Sequence, residues 1–385
     1  MSAEWQGYTL QQEDVWFFRD SKPSLLGADH YLRSIFPPLP STLYGLVRTQ
    51  RLLAHGADLD QVSESWWKAL PDAVRKEVGD WGEDGSLQLR GPWMTRGDKI
   101  LLPAPGDLRL FLRAEPPDDD AEEHDRIEAV LRLRPAENRG SGADWSHDLA
   151  PMSPFAFDGG RWTPWTTPRG RKDPQPSGGW FLELDGIREW ISGGVPSPSH
   201  FVAAKQLWLD EPRTGLGLDS ERRKHLEHLL FTFGCIRLCR GVALGFELRN
   251  GAVEDERILP FGQLARFGGE SRLARIEKGP SLSEALRGAP HGEENHVIAL
   301  LAPAIFGHGA LPDGKVIAAV VPGALLAGGW DLANRRPKKL QRAAPAGSVY
   351  WIDGPAPALL SASGSMSKQG FGLMLAGAQP RRSHG

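Results

Sequence analysis

A chain of 385 residues is long for a single hydrophobic core and points to two domains. With 40% hydrophobic and 24% charged residues it is globular rather than disordered, and no run approaches the roughly 20 apolar residues that a bilayer span needs. A net charge of −3 excludes a general polycation, and residues 1–12 carry neither a basic leader nor an apolar signal core, so a cytoplasmic protein without a membrane is expected.

The charge is unevenly spread. Residues 115–128 hold eight acids and one arginine, whereas 334–342 hold five basic residues and no acid. Arginine supplies 33 of the 45 basic residues, and its planar fork suits phosphate, although a GC-rich genome leaves the same bias. The two cysteines, Cys235 and Cys239, are too few for a disulfide framework or a four-cysteine zinc site and read as buried thiols.

In chain order, 8–20 is aromatic and β-branched and reads as a strand. A rigid Phe36-Pro37-Pro38-Leu39-Pro40 lead-in stops at Ser41, a natural N-cap. From there Leu43, Leu46, Val47, Gln50, Leu53 and Ala54 recur at helical spacing up to Gly56. The runs 87–94, 99–102 and 108–113 are closely spaced strands, which favours α+β over alternating α/β. Periodicity fades between about 115 and 180, read as a long loop insertion with one short element at 126–133. A strand at 180–184 and a short helix near 187–191 follow, and the Pro/Gly/Ser-rich stretch 193–199 marks a boundary. Beyond it, 229–239 and 242–249 read as a hairpin, 259–267 as a short helix, and 272–276, 297–302, 316–321 and 348–352 as strands. Two α+β domains are expected, 1–200 with its insertion and 201–385 with glycine-rich loops, each ferredoxin-like.

Four segments have the chemistry of a phosphate grip. Ser41, Gly45 and Arg48 share the helix face opposite the apolar stripe, and helix-start amides beside a hydroxyl and an arginine suit an anion. The plainer reading is a capped helix with a surface arginine. Arg213, Gly215 and Gly217 form a glycine loop that lacks the third glycine of a dinucleotide fingerprint. Gly268, Gly269 and Arg272 form another, and Lys368, Gly370, Phe371 and Gly372 a fourth that offers charge and a stacking ring. No catalytic motif accompanies them. His291 and His296 with Glu293 and Glu294 match no helical metal motif and read as a polar loop, and His124-Asp125 lies in the acidic run.

Together these segments resemble one family, the third RAMP subunit of the type III-B CRISPR (Cmr) effector complex. The likeness starts at Asp14-Val15-Trp16-Phe17-Phe18-Arg19-Asp20 and continues through Phe36 to Thr42 with Gly45 and Arg48, then 213–219 and 267–272. Gly329-Trp330-Asp331-Leu332 with Pro337-Lys338, residues 344–350, and Gly370-Phe371-Gly372 complete it. Nothing in 115–180 takes part. The resemblance implies two RRM-related, ferredoxin-like domains without catalysis or cofactor. It also implies a grip on the 5′ repeat-derived handle of the CRISPR RNA and contacts to the large polymerase-like subunit and the backbone RAMP subunit. Arg19, Ser41, Arg48, Arg213 and Lys368 are then expected on the RNA surface, with the glycine loops beside them.

Two other classes stand against this reading. A metal-independent endoribonuclease that processes CRISPR RNA would use His30, with Arg33 and Arg48 available for the developing charge. A carbohydrate-active protein would need paired carboxylates across a groove lined by some of the 14 tryptophans, but the acids sit in one run.

Overall fold

The computed structural model describes residues 4–20, 31–58, 63–80, 82–113, 122–135, 152–153, 155–158, 161–164, 174–218, 225–251, 257–289, 296–307, 309–331, 336–353 and 357–379. His30 and most of the 291–296 segment lie outside them, as does part of 115–180.

The chain is a strand-rich α+β protein. The first elements are β1 (Gln6–Gln12), β2 (Tyr31–Leu32) and three helices, α1 (Pro40–Ala54), α2 (Glu64–Lys68) and α3 (Asp72–Val78). Strands β3 (Leu87–Arg96), β4 (Lys99–Pro103), β5 (Leu108–Leu112) and β6 (Ile127–Arg132) follow. Short strands β7 (Arg134–Pro135), β8 (Met152–Ser153), β9 (Phe155–Asp158), β10 (Arg161–Pro164) and β11 (Gln175–Pro176) lead to β12 (Trp180–Glu183), α4 (Leu184–Ile191) and β13 (Phe201–Ala203). Next come β14 (Trp208–Leu218), β15 (His225–Leu238), β16 (Val242–Asn250), β17 (Gln263–Arg266), β18 (Leu273–Lys278) and α5 (Leu282–Ala285). The last are β19 (His296–Leu300), β20 (Lys315–Val320), β21 (Leu325–Ala327), β22 (Trp330–Asp331), β23 (Arg336–Pro337), β24 (Gln341–Ala343), β25 (Val349–Asp353), β26 (Leu360–Ala362) and β27 (Leu373–Ala378).

Eight strands form the main sheet in the order β13-β12-β4-β3-β16-β1-β18-β17, and five form a second in the order β20-β25-β19-β27-β26. Every ladder in both is antiparallel. The main sheet draws strands from both sides of the expected division at residue 200. β1 is inserted between β16 and β18, so strands from both sides of that position complete one another's backbone hydrogen bonds.

The strand β3 is buried without a break from Gly91 to Thr95 because both of its faces are covered there. On one face Met94 joins Leu101, Tyr8, Leu10, Leu244, Phe246 and Ile276 beneath Leu43, Tyr44, Leu46 and Val47 of α1. On the other, Trp93, Ile100, Leu102 and Leu182 pack with Ile187, Trp190 and Ile191 of α4 and with Val297, Trp351, Leu373 and Leu375 of the second sheet. The two large sheets therefore share one core, with α4 between them.

That core contains a fully buried ion pair. Arg132 Nε donates to Asp107 Oδ2 at 2.8 Å, and both side chains are 0% exposed. Trp190 Nε1 donates to both Asp107 oxygens at 3.0 and 3.1 Å. The remaining Arg132 donors reach the carbonyls of Trp190 at 2.9 Å, Gly194 at 3.0 Å and Ala378 at 3.3 Å. One guanidinium thus joins β6, the end of α4 and the end of β27.

Three local expectations are corrected. Residues 229–239 and 242–249 form no hairpin with each other: β15 pairs with β14 and β2, while β16 crosses into the main sheet. Residues 259–267 contain the strand β17 rather than a helix, because edge pairing with β18 satisfies their backbone. In the expected loop insertion, β6 and β11 flank β5 as a three-stranded sheet.

Leaving one buried charge without its partner costs about 3–5 kcal/mol, more than removing both. Asp107→Ala is expected to destabilise the fold by that amount in urea denaturation, and Asp107→Ala with Arg132→Met to recover part of it. Equal midpoints for wild type and Asp107→Ala would show the pair to be dispensable.

Candidate nucleic-acid interface

The helix α1 begins two residues earlier than its hydroxyl suggests. Leu39 occupies the N-cap, Pro40 the first turn, and no side chain caps the helix. Proline fits there because its fixed φ is helical and its missing N–H would have had no intrahelical partner. Ser41 therefore sits half-buried inside the first turn rather than at the cap, and Gly45 is exposed one turn on.

Arg48, half-buried, lies over Trp67 at 5.3 Å and Tyr44 at 6.0 Å. Its Nε is buried without a hydrogen-bond partner, and it makes no ion pair among the described residues. Burial and the Asp84 carboxylate push the Tyr44 hydroxyl pKa up, with Arg48 opposing. Arg48 is thus a cation held by aromatic faces and not neutralised by a salt bridge.

The fourth segment packs against the start of this helix. Lys368 Nζ donates to the Gly85 carbonyl at 3.0 Å, and Gln369 Nε2 to Asp84 at 2.9 Å. Asp72, Arg75, Lys76, Asp80, Asp84 and Lys368 line an open pocket of about 520 Å³. A Cβ on Gly370 would meet Pro40 Cβ at 3.2 Å, and one on Gly372, at φ +66°, would lie 1.8 Å from the Ser363 carbonyl oxygen. These glycines serve close packing within the protein. Phe371 is 1% exposed, which corrects the expectation of a stacking ring, since the apolar side chain is better buried beside Leu39 and Ile305.

Arg213, Gly215 and Gly217 are not in a loop. They lie in β14, where Arg213 pairs with Phe233 and Gly215 with Phe231 of β15. Arg213 donates to Asp14 at 3.2 and 3.4 Å and to Glu211 at 3.0 Å. Arg272 also donates to Asp14, and Arg237 to Glu211. Three guanidiniums therefore face two carboxylates, leaving one positive charge in excess. Burial opposes ionisation of Asp14, yet the Val15 amide, Arg213 and Arg272 hold its carboxyl below its ordinary range. Arg237 lowers that of Glu211, with Arg213 assisting against burial.

The turn before Arg272 is built against the same strip. Gly268, at φ +83°, approaches Phe17 so closely that a Cβ would lie 2.6 Å from its carbonyl oxygen, and the Gly269 amide donates to that oxygen at 2.8 Å. Phe18 then stacks on Phe36 at 6.1 Å and meets Phe267 at 5.0 Å, which joins the turn to the approach to α1. Arg19, exposed beside Phe18, is bridged through its backbone to Ser34.

Most of the predicted residues fall into two groups. Ser41, Gly45, Arg48, Lys368, Gly370 and Gly372 lie on or against α1, and Arg213, Gly268, Gly269 and Arg272 lie about Asp14 and the strip that follows it, while Gly215 and Gly217 continue along β14 and Arg19 lies beyond Phe18. The aromatic contacts of Phe18 connect them. The sequence reading missed Trp67, the second ring under Arg48, whose place in a short helix 19 residues on carries no periodic signal.

Residues 8–379 match the family described as CRISPR-associated protein (Cas_Cmr3), and the chain belongs to that family. No protein of curated function matches it. It is similar at 12% identity to a chain of the cryo-EM structure of the type III-B Cmr-beta bound to cognate target RNA, with a TM-score of 0.45 over 90% of this chain and 86% of that one. A chain of the Csm3-Csm4 subcomplex of the type III-A CRISPR-Cas interference complex gives 10% identity and a TM-score of 0.37, over 91% of this chain and 95% of that one. A chain of the Csm1-Csm4 cassette in complex with pppApA gives 13% and 0.33, over 91% and 88%. Among the described residues no helix is long and apolar enough to cross a membrane.

Both Asp14 and Glu211 titrate lower in the folded chain than in the unfolded one. Their stabilisation is therefore complete at neutral pH and is lost as pH falls through the depressed range. The stability gap between wild type and Asp14→Asn should narrow as pH drops from about 7 to about 3. A gap that stays constant would remove Asp14 from the network. Gly372→Ala is expected to unfold locally or lower the melting temperature by several degrees, roughly 1–3 kcal/mol of strain; an unchanged melting curve would contradict the close approach.

Proposed function

We propose that this chain is a non-catalytic RNA-binding subunit of a type III-B CRISPR ribonucleoprotein that acts in antiviral defence. In this reading it grips the 5′ repeat-derived handle of the CRISPR RNA. It also docks the large polymerase-like subunit and the backbone RAMP subunit, in the cytoplasm and without a cofactor. In the same reading its two units, 1–200 and 201–385, are ferredoxin-like and RRM-related. The observation that carries the reading is Arg48, a guanidinium held by Tyr44 and Trp67 with no carboxylate partner among the described residues. A guanidinium oriented by aromatic rings and not neutralised by a carboxylate keeps its charge for an anion from outside.

Arg213 and Arg272 support it differently. Their carboxylates satisfy them in the free protein, so a phosphate gains only their excess charge. Backbone gripping needs placed cations and close-packed turns rather than a general acid, and the described residues supply those.

Arg48→Ala is expected to weaken binding of the assembled complex to handle-bearing RNA roughly tenfold. It should also lower the slope of log K against log salt by about 0.7, the value for one single-strand phosphate contact. Arg213→Ala should have a smaller effect. Arg188→Ala, on α4 against the other face of the main sheet, should have none. Arg75 would not serve as the control, because it lines the pocket of Lys368. If Arg48→Ala behaves like Arg188→Ala, the assignment of the grip is wrong. The intact protein should leave its CRISPR RNA uncut with or without Mg²⁺, whereas cleavage abolished by His30→Ala would establish an endoribonuclease.

A further inference from the structure

One charged surface takes no part in either group. Between 325 and 343 two antiparallel pairs follow one another, β21 with β24, Leu325 opposite Ala343, and β22 with β23, Trp330 opposite Pro337. Between them the Lys338 amide donates to the Gly329 carbonyl at 2.9 Å. This stretch contains five cationic residues and a single acid, Asp331. Trp330 is 56% exposed, the highest value among the large hydrophobic side chains described. Arg336, Lys338, Lys339 and Arg342 are all exposed, and none forms an ion pair with another described residue.

The observed register sets Trp330 opposite Pro337 on one face and Asp331 opposite Arg336 on the other, and the exposed Lys338 and Lys339 follow directly after β23. A two-stranded ribbon is narrow, so long side chains from the second face reach around its edge. Exposing an indole to water is unfavourable, and gathering cations without counter-ions is unfavourable as well. A single ligand removes both costs if it presents a flat apolar ring every few ångströms between negative charges. Single-stranded nucleic acid has that chemistry: bases stack on aromatic faces while phosphates meet the flanking cations. A duplex does not, because its bases already stack on one another.

We propose that the ribbon around Trp330 is a single-stranded RNA contact, with one base stacked on Trp330 and the adjacent phosphates on Lys339, Arg336 and Lys338. This goes beyond the handle grip and does not depend on it, since no residue is shared. Stacking is tolerant of sequence, so the contact reads a strand rather than a repeat.

The test uses the full chain and a fluorescently labelled oligouridylate that lacks the handle sequence, with an RNA duplex of equal length beside it. Trp330→Ala should weaken oligouridylate binding roughly tenfold or more, the effect of losing one stacked base, and leave the salt slope unchanged. Lys338→Glu with Lys339→Glu should weaken it further and lower the slope by about 0.7 for each phosphate that is no longer neutralised. Duplex binding should be insensitive to Trp330→Ala. Arg48→Ala measured in parallel on handle-bearing RNA tests the handle grip separately. The proposal is overturned if both ribbon variants bind oligouridylate like the wild type, or if Trp330→Ala costs as much on the duplex. It is equally overturned if the variants disrupt assembly with protein subunits while leaving oligouridylate affinity intact, which would make the ribbon a protein-docking surface. Circular dichroism of each variant against wild type separates these outcomes from misfolding.

Discussion

The Asp107–Arg132 pair is the constraint from which the arrangement of layers follows. A charge at 0% exposure is tolerated only when its hydrogen bonds are met, and Arg132 finds them on three elements from distant parts of the sequence. Its position therefore fixes β6, the end of α4 and the end of β27 relative to one another. Apolar contacts in the same region are not directional and would permit α4 to slide between the sheets. The pair adds little net stability compared with a well-packed apolar replacement, but it discriminates among packings that hydrophobic burial alone would leave close in energy.

The main sheet adds a second restraint. With β1 hydrogen-bonded between β16 and β18, the N-terminal strand sits amid strands more than 230 residues away. Neither half can complete its backbone pairing before the other is present, so long-range contacts dominate folding and make it slow. It also explains why both candidate groups are close in space though scattered in sequence. α1 lies on the face formed by β3, β16, β1 and β18, and the Asp14 network sits just beyond the end of β1.

Elements with a local cause were legible in the sequence, and those with a tertiary cause were not. The periodic run Leu43, Leu46, Val47, Gln50 located α1, because one helical face must be apolar whatever it packs on. The runs at 87–94, 99–102 and 180–184 located β3, β4 and β12 for the same reason. Residues 213–219 read as a loop because glycine is poor in strands, yet β15 offers a long pairing edge that outweighs that preference. Phe371 read as a stacking ring because nothing local reveals that Leu39 and Ile305 enclose it. Asp107 and Arg132 are 25 residues apart with no pattern joining them, so the pair was invisible. The family, in contrast, was legible, since its motifs are recognised as strings of residues whatever geometry distant partners give them.

What the glycines do separates the candidate residues by role. Gly268, Gly370 and Gly372 bring backbone into contact with the protein itself, at Phe17, Pro40 and Ser363. They shape the surface through packing within the protein. The arginines divide by electrostatic state: Arg213 and Arg272 are held by Asp14, while Arg48 rests on aromatic rings without a carboxylate. A paired arginine must exchange one partner for another on binding, which limits its affinity but keeps it oriented in the free protein. An arginine on rings is oriented by them and retains its charge for the ligand. A surface that combines the two holds its shape through the paired cations and gains affinity through the unpaired one. In the proposed reading, that is how a chain with a net charge of −3 presents a locally cationic surface to RNA.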